Sequence, residues 1–105
     1  MTHYKITYSP EAFRHLNAIY NYLLIESLDL GIAKKIIRTI KNAIKSLSTL
    51  PYRHQKVELP LFESADVRQL ISKGYLILYA IDDDKKTVTI VGIMSCRQDK
   101  NKVIN

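Results

Sequence analysis

The chain has 105 residues and a mass of 12.1 kDa, enough for one domain spanning residues 1–105 and too little for a second independent core. With 47% hydrophobic and 25% charged residues, three Gly and three Pro, it falls outside the disordered, collagen-like and low-complexity classes. A single cysteine, Cys96, excludes an internal disulfide framework and a Cys-based metal site, and a net charge of +6 at pH 7 points to acidic partners.

The pattern opens on a strand. Tyr4, Ile6 and Tyr8 alternate with Lys5 and Thr7, the period of a half-buried strand. Ser9-Pro10-Glu11 then reads as a helix start: a capping hydroxyl, a proline whose missing N–H does no harm, and an acid at the positive end of the dipole. Ala12, Leu16, Ile19, Tyr20, Leu23 and Leu24 follow at helical spacing, and the pattern breaks at Ser27-Leu28-Asp29-Leu30-Gly31. A second helix carries Ala33, Ile36, Ile37, Ile40, Ala43, Ile44 and Leu47 on one side and stops at Pro51. The short connection makes the two helices an antiparallel hairpin.

Residues 51–66, with Pro51, Pro60 and mixed charge, read as loop or loosely extended chain. Three strands are expected after them: Val67 to Ile71, Tyr75 to Ile81 and Thr87 to Met94. The middle one is apolar on both faces, as a central strand should be. Ser72-Lys73-Gly74 and Asp82-Asp83-Asp84-Lys85-Lys86 are the turns between them; the aspartates read as a solvated turn, because no Gly or Glu follows at calcium-loop spacing. The order β-αα-βββ predicts an α+β fold with the helical hairpin on one face of a small, mostly antiparallel sheet.

The charge is concentrated. Residues 31–50 hold Lys34, Lys35, Arg38, Lys41 and Lys45 and no acid, a local +5 against +6 for the whole chain. Positions 34, 38, 41 and 45 share one face of a helix and form a candidate docking surface for an acidic protein or a nucleic acid.

Most enzyme classes find no support. There is no Gly-x-Ser-x-Gly elbow, His3, His15 and His54 fall in different elements, and no metal-ligand spacing or glycine-rich phosphate loop is present. No cofactor is expected. What remains is a set of cations and phenols around the sheet, which could hold a scissile phosphate: Tyr52, Arg53, His54, Lys56, Arg68, Lys73, Tyr75, Arg97 and Lys100. A convincing base is not among them, since His54 lies in a loop. The polar start and lone cysteine predict a cytoplasmic protein without a signal peptide, and the Tyr75–Ile81 apolar run is far short of the ~20 residues that span a bilayer.

Tyr4-Lys5-Ile6-Thr7-Tyr8-Ser9-Pro10-Glu11-Ala12, the stop at Pro51, Arg68-x-Leu70, Tyr75-x-Ile77-x-Tyr79-x-Ile81-Asp82, Val88-x-Ile90 and Arg97-Gln98-Asp99 follow one another over residues 4–99. In this order they resemble the ParE/RelE superfamily of toxins from bacterial type II toxin–antitoxin modules, whose fold has the same β-αα-βββ order. The resemblance implies a growth inhibitor neutralised by a cognate acidic antitoxin. Its members divide between RelE-like nucleases that cut mRNA on the ribosome and ParE-like poisons of DNA gyrase. Some nuclease members carry an Arg in the strand matching Tyr75 to Ile81, which is uncharged here. Many members of either branch have a His where Ser95 stands. Both departures weaken the nuclease reading, and a poison of DNA gyrase is the leading expectation. Alternatives are a ribosome-dependent endoribonuclease using Arg68 and Arg97, helped by His54 or Lys56, and a decayed toxin that only binds its antitoxin. The antitoxin is expected on Tyr75, Ile77 and Tyr79 and on the stripe Lys34, Arg38, Lys41 and Lys45.

Overall fold

A computed structural model describes residues 3–58 and 65–96. Strand β1 (Lys5–Tyr8) leads into helices α1 (Pro10–Ser27) and α2 (Leu30–Lys45). Two 3₁₀ turns, Ser46–Ser48 and Pro51–Arg53, precede strands β2 (Asp66–Ser72), β3 (Tyr75–Asp82) and β4 (Thr87–Ser95). The elements come in the expected α+β order.

Capping fixes both helix starts. The Ser9 hydroxyl accepts from the Ala12 N–H at 3.0 Å, with Pro10 in the first turn. Asp29 accepts from the Gly31 and Ile32 N–H groups at 2.8 and 3.2 Å. Helix α1 ends on Leu28, which takes a left-handed conformation (φ 53°) and donates its N–H to the Leu24 carbonyl. This is the place where glycine is usual. Helix α2 ends at Lys45, short of Pro51. The chain passes through the first 3₁₀ turn, and Leu50, before the proline, turns to φ 50°. A residue preceding proline is sterically driven out of the helical region.

The sheet order is β1-β4-β3-β2. The two hairpins are antiparallel, while β1 runs parallel to β4, with Lys5 opposite Thr87 and Tyr8 opposite Ile90. Lys73 (φ 53°) and Gly74 (φ 78°) are the central residues of a two-residue turn between Ser72 and Tyr75, the paired positive φ angles of a type I′ hairpin. An irregularity between Leu78 and Tyr79 leaves Val91 as an extra residue on β4. The bulge explains the core pattern of that strand, where Val88 and Ile90 are followed by Ile93. Because β1 stops at Tyr8, the edge of β4 beyond Ile90 has no strand beside it among the described residues. Helix α1 serves it instead: Ser9 donates its N–H to the Ile90 carbonyl at 2.9 Å, and the Ile93 N–H donates to His15 Nδ1 at 3.2 Å.

Both helices lie on one face of the sheet. Ala12 and Leu16 from α1, and Ile40 and Ile44 from α2 with Leu47, pack against Ile77, Tyr79 and Ile81 of β3 and Val88, Ile90 and Ile93 of β4. Burying such side chains is worth about 1.5–3 kcal/mol each and is the main force holding the roof to the sheet.

Candidate functional site

Arg68 stands on β2 next to Tyr79 of β3, two residues after Asp66 and therefore on the same face of the strand. Its Nε donates to Asp66 Oδ1 at 2.9 Å and its Nη2 to Oδ2 at 3.4 Å. Its Nη1 donates to the carbonyls of Tyr52 and His54 at 2.8 and 2.9 Å. The guanidinium also lies 5.2 Å from the centre of the Tyr52 ring. The side chain is 18% exposed. All three guanidinium nitrogens are therefore engaged: Nη1 fastens residues 52–54 to the sheet edge, while Nε and Nη2 are held by Asp66. The adjoining backbone continues the fastening, with Val57 N–H bonded to the Val67 carbonyl and Gln69 N–H to the Gln55 carbonyl. Residues 51–58, expected as loop or loosely extended chain, thus run alongside β2 and join it through a single β-bridge, Lys56 opposite Arg68.

The structure brings His54 and Lys56 near Arg68 but does not arm them. His54 Nε2 accepts from Arg53 Nε at 3.2 Å, and its ring stands edge-on to Tyr79. Burial, then the Arg53 charge, hold its pKa below the ordinary histidine value, so the imidazole is neutral at pH 7 with its accepting nitrogen occupied. Lys56 is exposed. Arg97, with Arg97-Gln98-Asp99, Lys100 and Pro60, lies outside the described residues.

A second cluster was not expected from sequence. Asp83 Oδ1 accepts from the Tyr4 hydroxyl at 2.6 Å, the Tyr52 hydroxyl at 3.2 Å and Lys86 Nζ at 3.0 Å. The two tyrosine rings meet edge to face, and Lys86 lies over the Tyr4 ring. The hydrogen bonds from Tyr4 and then Lys86 hold the Asp83 carboxyl below its ordinary range, and the same bond to Asp83 raises the Tyr4 phenol. This network ties the residue before β1, the second 3₁₀ turn and the β3–β4 turn together. The backbone at residues 83–86 forms the local turn that the aspartates and lysines predict. The Asp83 partners Tyr4 and Tyr52 lie 79 and 31 positions away and leave no local mark in the sequence. Among the described residues no group of acids, His and Cys is arranged to hold a metal.

The basic stripe forms one wall of a groove. Lys34, Arg38, Lys41 and Lys45 line it from α2 together with Ile37 and Asn42, and Leu16, Asn17 and Tyr20 line it from α1, around a volume of about 420 Å³. The ion pairs among the described residues are Arg14–Glu11, Arg68–Asp66 and Lys86–Asp83, so none of the four stripe cations is neutralised there. Sequence periodicity located the cations. The α1 wall needed the pairing of the two helices, although Leu16 and Tyr20 at i, i+4 already shared a face.

A family model described as "ParE toxin of type II toxin-antitoxin system, parDE" matches residues 6–100. The chain belongs to the ParE toxin family. Solved structures with the same fold include the chromosomal ParDE system of P. aeruginosa (TM-score 0.71, 19% identity, 88% of this chain and 95% of that one). Others are the RelBE2 toxin–antitoxin complex of Mycobacterium tuberculosis (0.60, 24%, 90% and 93%) and the archaeal RelE–RelB complex of Pyrococcus horikoshii OT3 (0.62, 17%, 91% and 97%). At these identities the likeness establishes the fold. No curated protein matches the chain in sequence.

In this ParE-family toxin the β3 residues expected to meet a partner are placed differently from the stripe. Ile77 and Tyr79 are 0% exposed beneath the helices, and Tyr75 is half-buried against the same core. Tyr79 donates its hydroxyl to the Pro51 carbonyl at 2.7 Å, and burial pushes its phenol up to about 12. The alternation of the strand that gives these residues to the core gives Leu76, Leu78 and Ala80 to the opposite face. Contact with β3 on the face away from the helices falls on those three and on Asp82 at the end of the strand. No described helix of this ParE-family chain is long and apolar enough to cross a membrane.

Proposed function

We propose that this ParE-family toxin inhibits growth in the cytoplasm by binding proteins: an acidic antitoxin that neutralises it, and a gyrase-type topoisomerase that it poisons. The observation that carries the choice of target is the engagement of Arg68. A nuclease needs a cation free to hold the scissile phosphate and a base free to take the ribose proton. Arg68 spends its donors on Asp66, Tyr52 and His54, and the accepting nitrogen of His54 is taken by Arg53. Support for the antitoxin comes from the family match and from the stripe on α2, whose cations have no ion pair among the described residues.

The test runs purified toxin in two parallel assays: gyrase supercoiling of plasmid DNA, and primer extension on ribosome-bound transcripts. The expected result is blocked supercoiling or trapped cleaved DNA with transcripts intact. Transcript cleavage at the ribosome overturns the choice of target, and normal growth during expression without antitoxin overturns toxicity itself.

A further inference from the structure

The far end of the helical hairpin is apolar, exposed and acidic. Leu16 and Ile19 are the last residues of α1 packed on the core, and Ile36 is the first of α2, so residues 20–35 project past it. From Ile19 to Leu28 the overhang is about 13 Å at the rise of a helix. Tyr22 and Ile25 share a face of α1, and Leu28, Leu30 and Ile32 continue from it round the connection. These five side chains are 48–88% exposed. Contiguous apolar surface of this kind marks an interaction site.

Two residues at this end are poor choices for folding. Leu28 holds the left-handed conformation in which glycine is usual, and it is the most exposed large apolar side chain among the described residues. Glu26 sits in the last turn of α1, where the helix dipole favours a cation, and it has no ion pair among the described residues. Local choices that oppose stability concentrate where a surface serves binding.

Charge selects the occupant. Residues 16–33 contain Glu26 and Asp29 and no Lys or Arg, a local −2 in a chain of +6. Their carboxylates repel nucleic acid phosphates, anionic lipid headgroups and an acidic antitoxin alike. A second copy placed end to end brings four carboxylates together. The complement is a basic protein surface with an apolar hollow, and an enzyme that handles DNA carries cations where the duplex lies. We propose that the end of the hairpin is the surface that holds the topoisomerase. Tyr22, Ile25, Leu28, Leu30 and Ile32 fill an apolar cleft of that enzyme, and Glu26 meets a Lys or Arg on its rim. The inference rests on the gyrase reading and names the part of this chain that carries it.

The test is inhibition of purified DNA gyrase by full-length toxin in a supercoiling assay. Tm and calorimetric binding of the acidic protein encoded beside the toxin are measured on the same variants. Leu28→Asn suits the left-handed backbone and is expected to raise the Tm by about 2–8 °C, while the toxin concentration for half-inhibition rises about tenfold. Glu26→Lys suits the helix dipole, so its Tm holds or rises, and it is expected to weaken inhibition by about tenfold or more. Weaker inhibition by a more stable protein separates docking from folding. Ile71→Thr removes apolar surface of comparable exposure from β2 and leaves inhibition within about threefold. All three variants keep the wild-type affinity for the acidic protein. Wild-type inhibition that Leu28→Asn and Glu26→Lys leave unchanged overturns the docking surface and leaves the gyrase reading standing, whereas a wild type that does not inhibit gyrase overturns both. Loss of the acidic protein with inhibition intact, or a wild-type dimer that Leu28→Asn makes monomeric with inhibition intact, overturns the choice of occupant.

Discussion

Replacing Arg68 with alanine tests whether this cation builds the molecule or acts for it. The two bonds to the Tyr52 and His54 carbonyls are charge-assisted, and bonds of that kind contribute about 1.5–3 kcal/mol each. The ion pair with Asp66 is partly solvated and adds less than about 1 kcal/mol. One guanidinium makes all these contacts, so their losses overlap, and the Tyr52 carbonyl can regain water. The expected destabilisation is about 3 kcal/mol. Against a total of about 5–15 kcal/mol for a small domain this is severe, and it corresponds to a fall in Tm of about 12 °C or more. Arg68→Lys keeps the charge but cannot reach two carbonyls and a carboxylate at once, and should lose about half as much. Urea unfolding followed by far-UV circular dichroism measures both. An Arg68→Ala protein as stable as its parent but without toxicity would refute the structural assignment and return Arg68 to the list of functional cations.

Three further outcomes follow from the same geometry. Tyr79→Phe leaves the buried Pro51 carbonyl without its donor and should cost about 1–3 kcal/mol in the same unfolding assay. Leu28→Asn puts a residue tolerant of left-handed geometry at the end of α1, where the leucine is 88% exposed and buries little, and should gain about 0.5–1 kcal/mol, read as a higher Tm. His54 is held neutral in the folded state with its pKa below 6.5. The unfolded chain therefore takes up its proton first as pH falls, and the stability His54 contributes is complete above pH 6.5 and declines below it. His54→Gln should flatten that part of the decline in Tm measured between pH 7.5 and 5.5.

Local chemistry made much of the fold legible. The Ser9 cap, Pro10, the break before Gly31 and the Lys73-Gly74 turn each depend on neighbours within four residues, and each appears where the residues placed it. The parallel placement of β1 beside β4 is a different matter, since alternation fixes which face a strand buries and says nothing of which strand lies beside it. Likewise Tyr75, Ile77 and Tyr79 were visible as an apolar set, but their assignment to the core side follows from where the helices land. The stripe on α2 was legible because cations repeat at helical spacing. The Arg68 latch was not, because two of its acceptors are backbone carbonyls, which leave no mark in a sequence.

The pairing of the first strand with the last constrains when this molecule can exist. Every hydrogen bond between β1 and β4 spans some eighty positions, a highly non-local contact of the kind that slows folding. At synthesis rates of about 5–20 residues per second, roughly 4–16 seconds separate the making of Lys5 from that of Thr87. During that interval β1 is an edge in search of a partner, and two amphipathic helices have most of their counter-surface still unmade. A fragment ending before Thr87 has no route to the finished architecture.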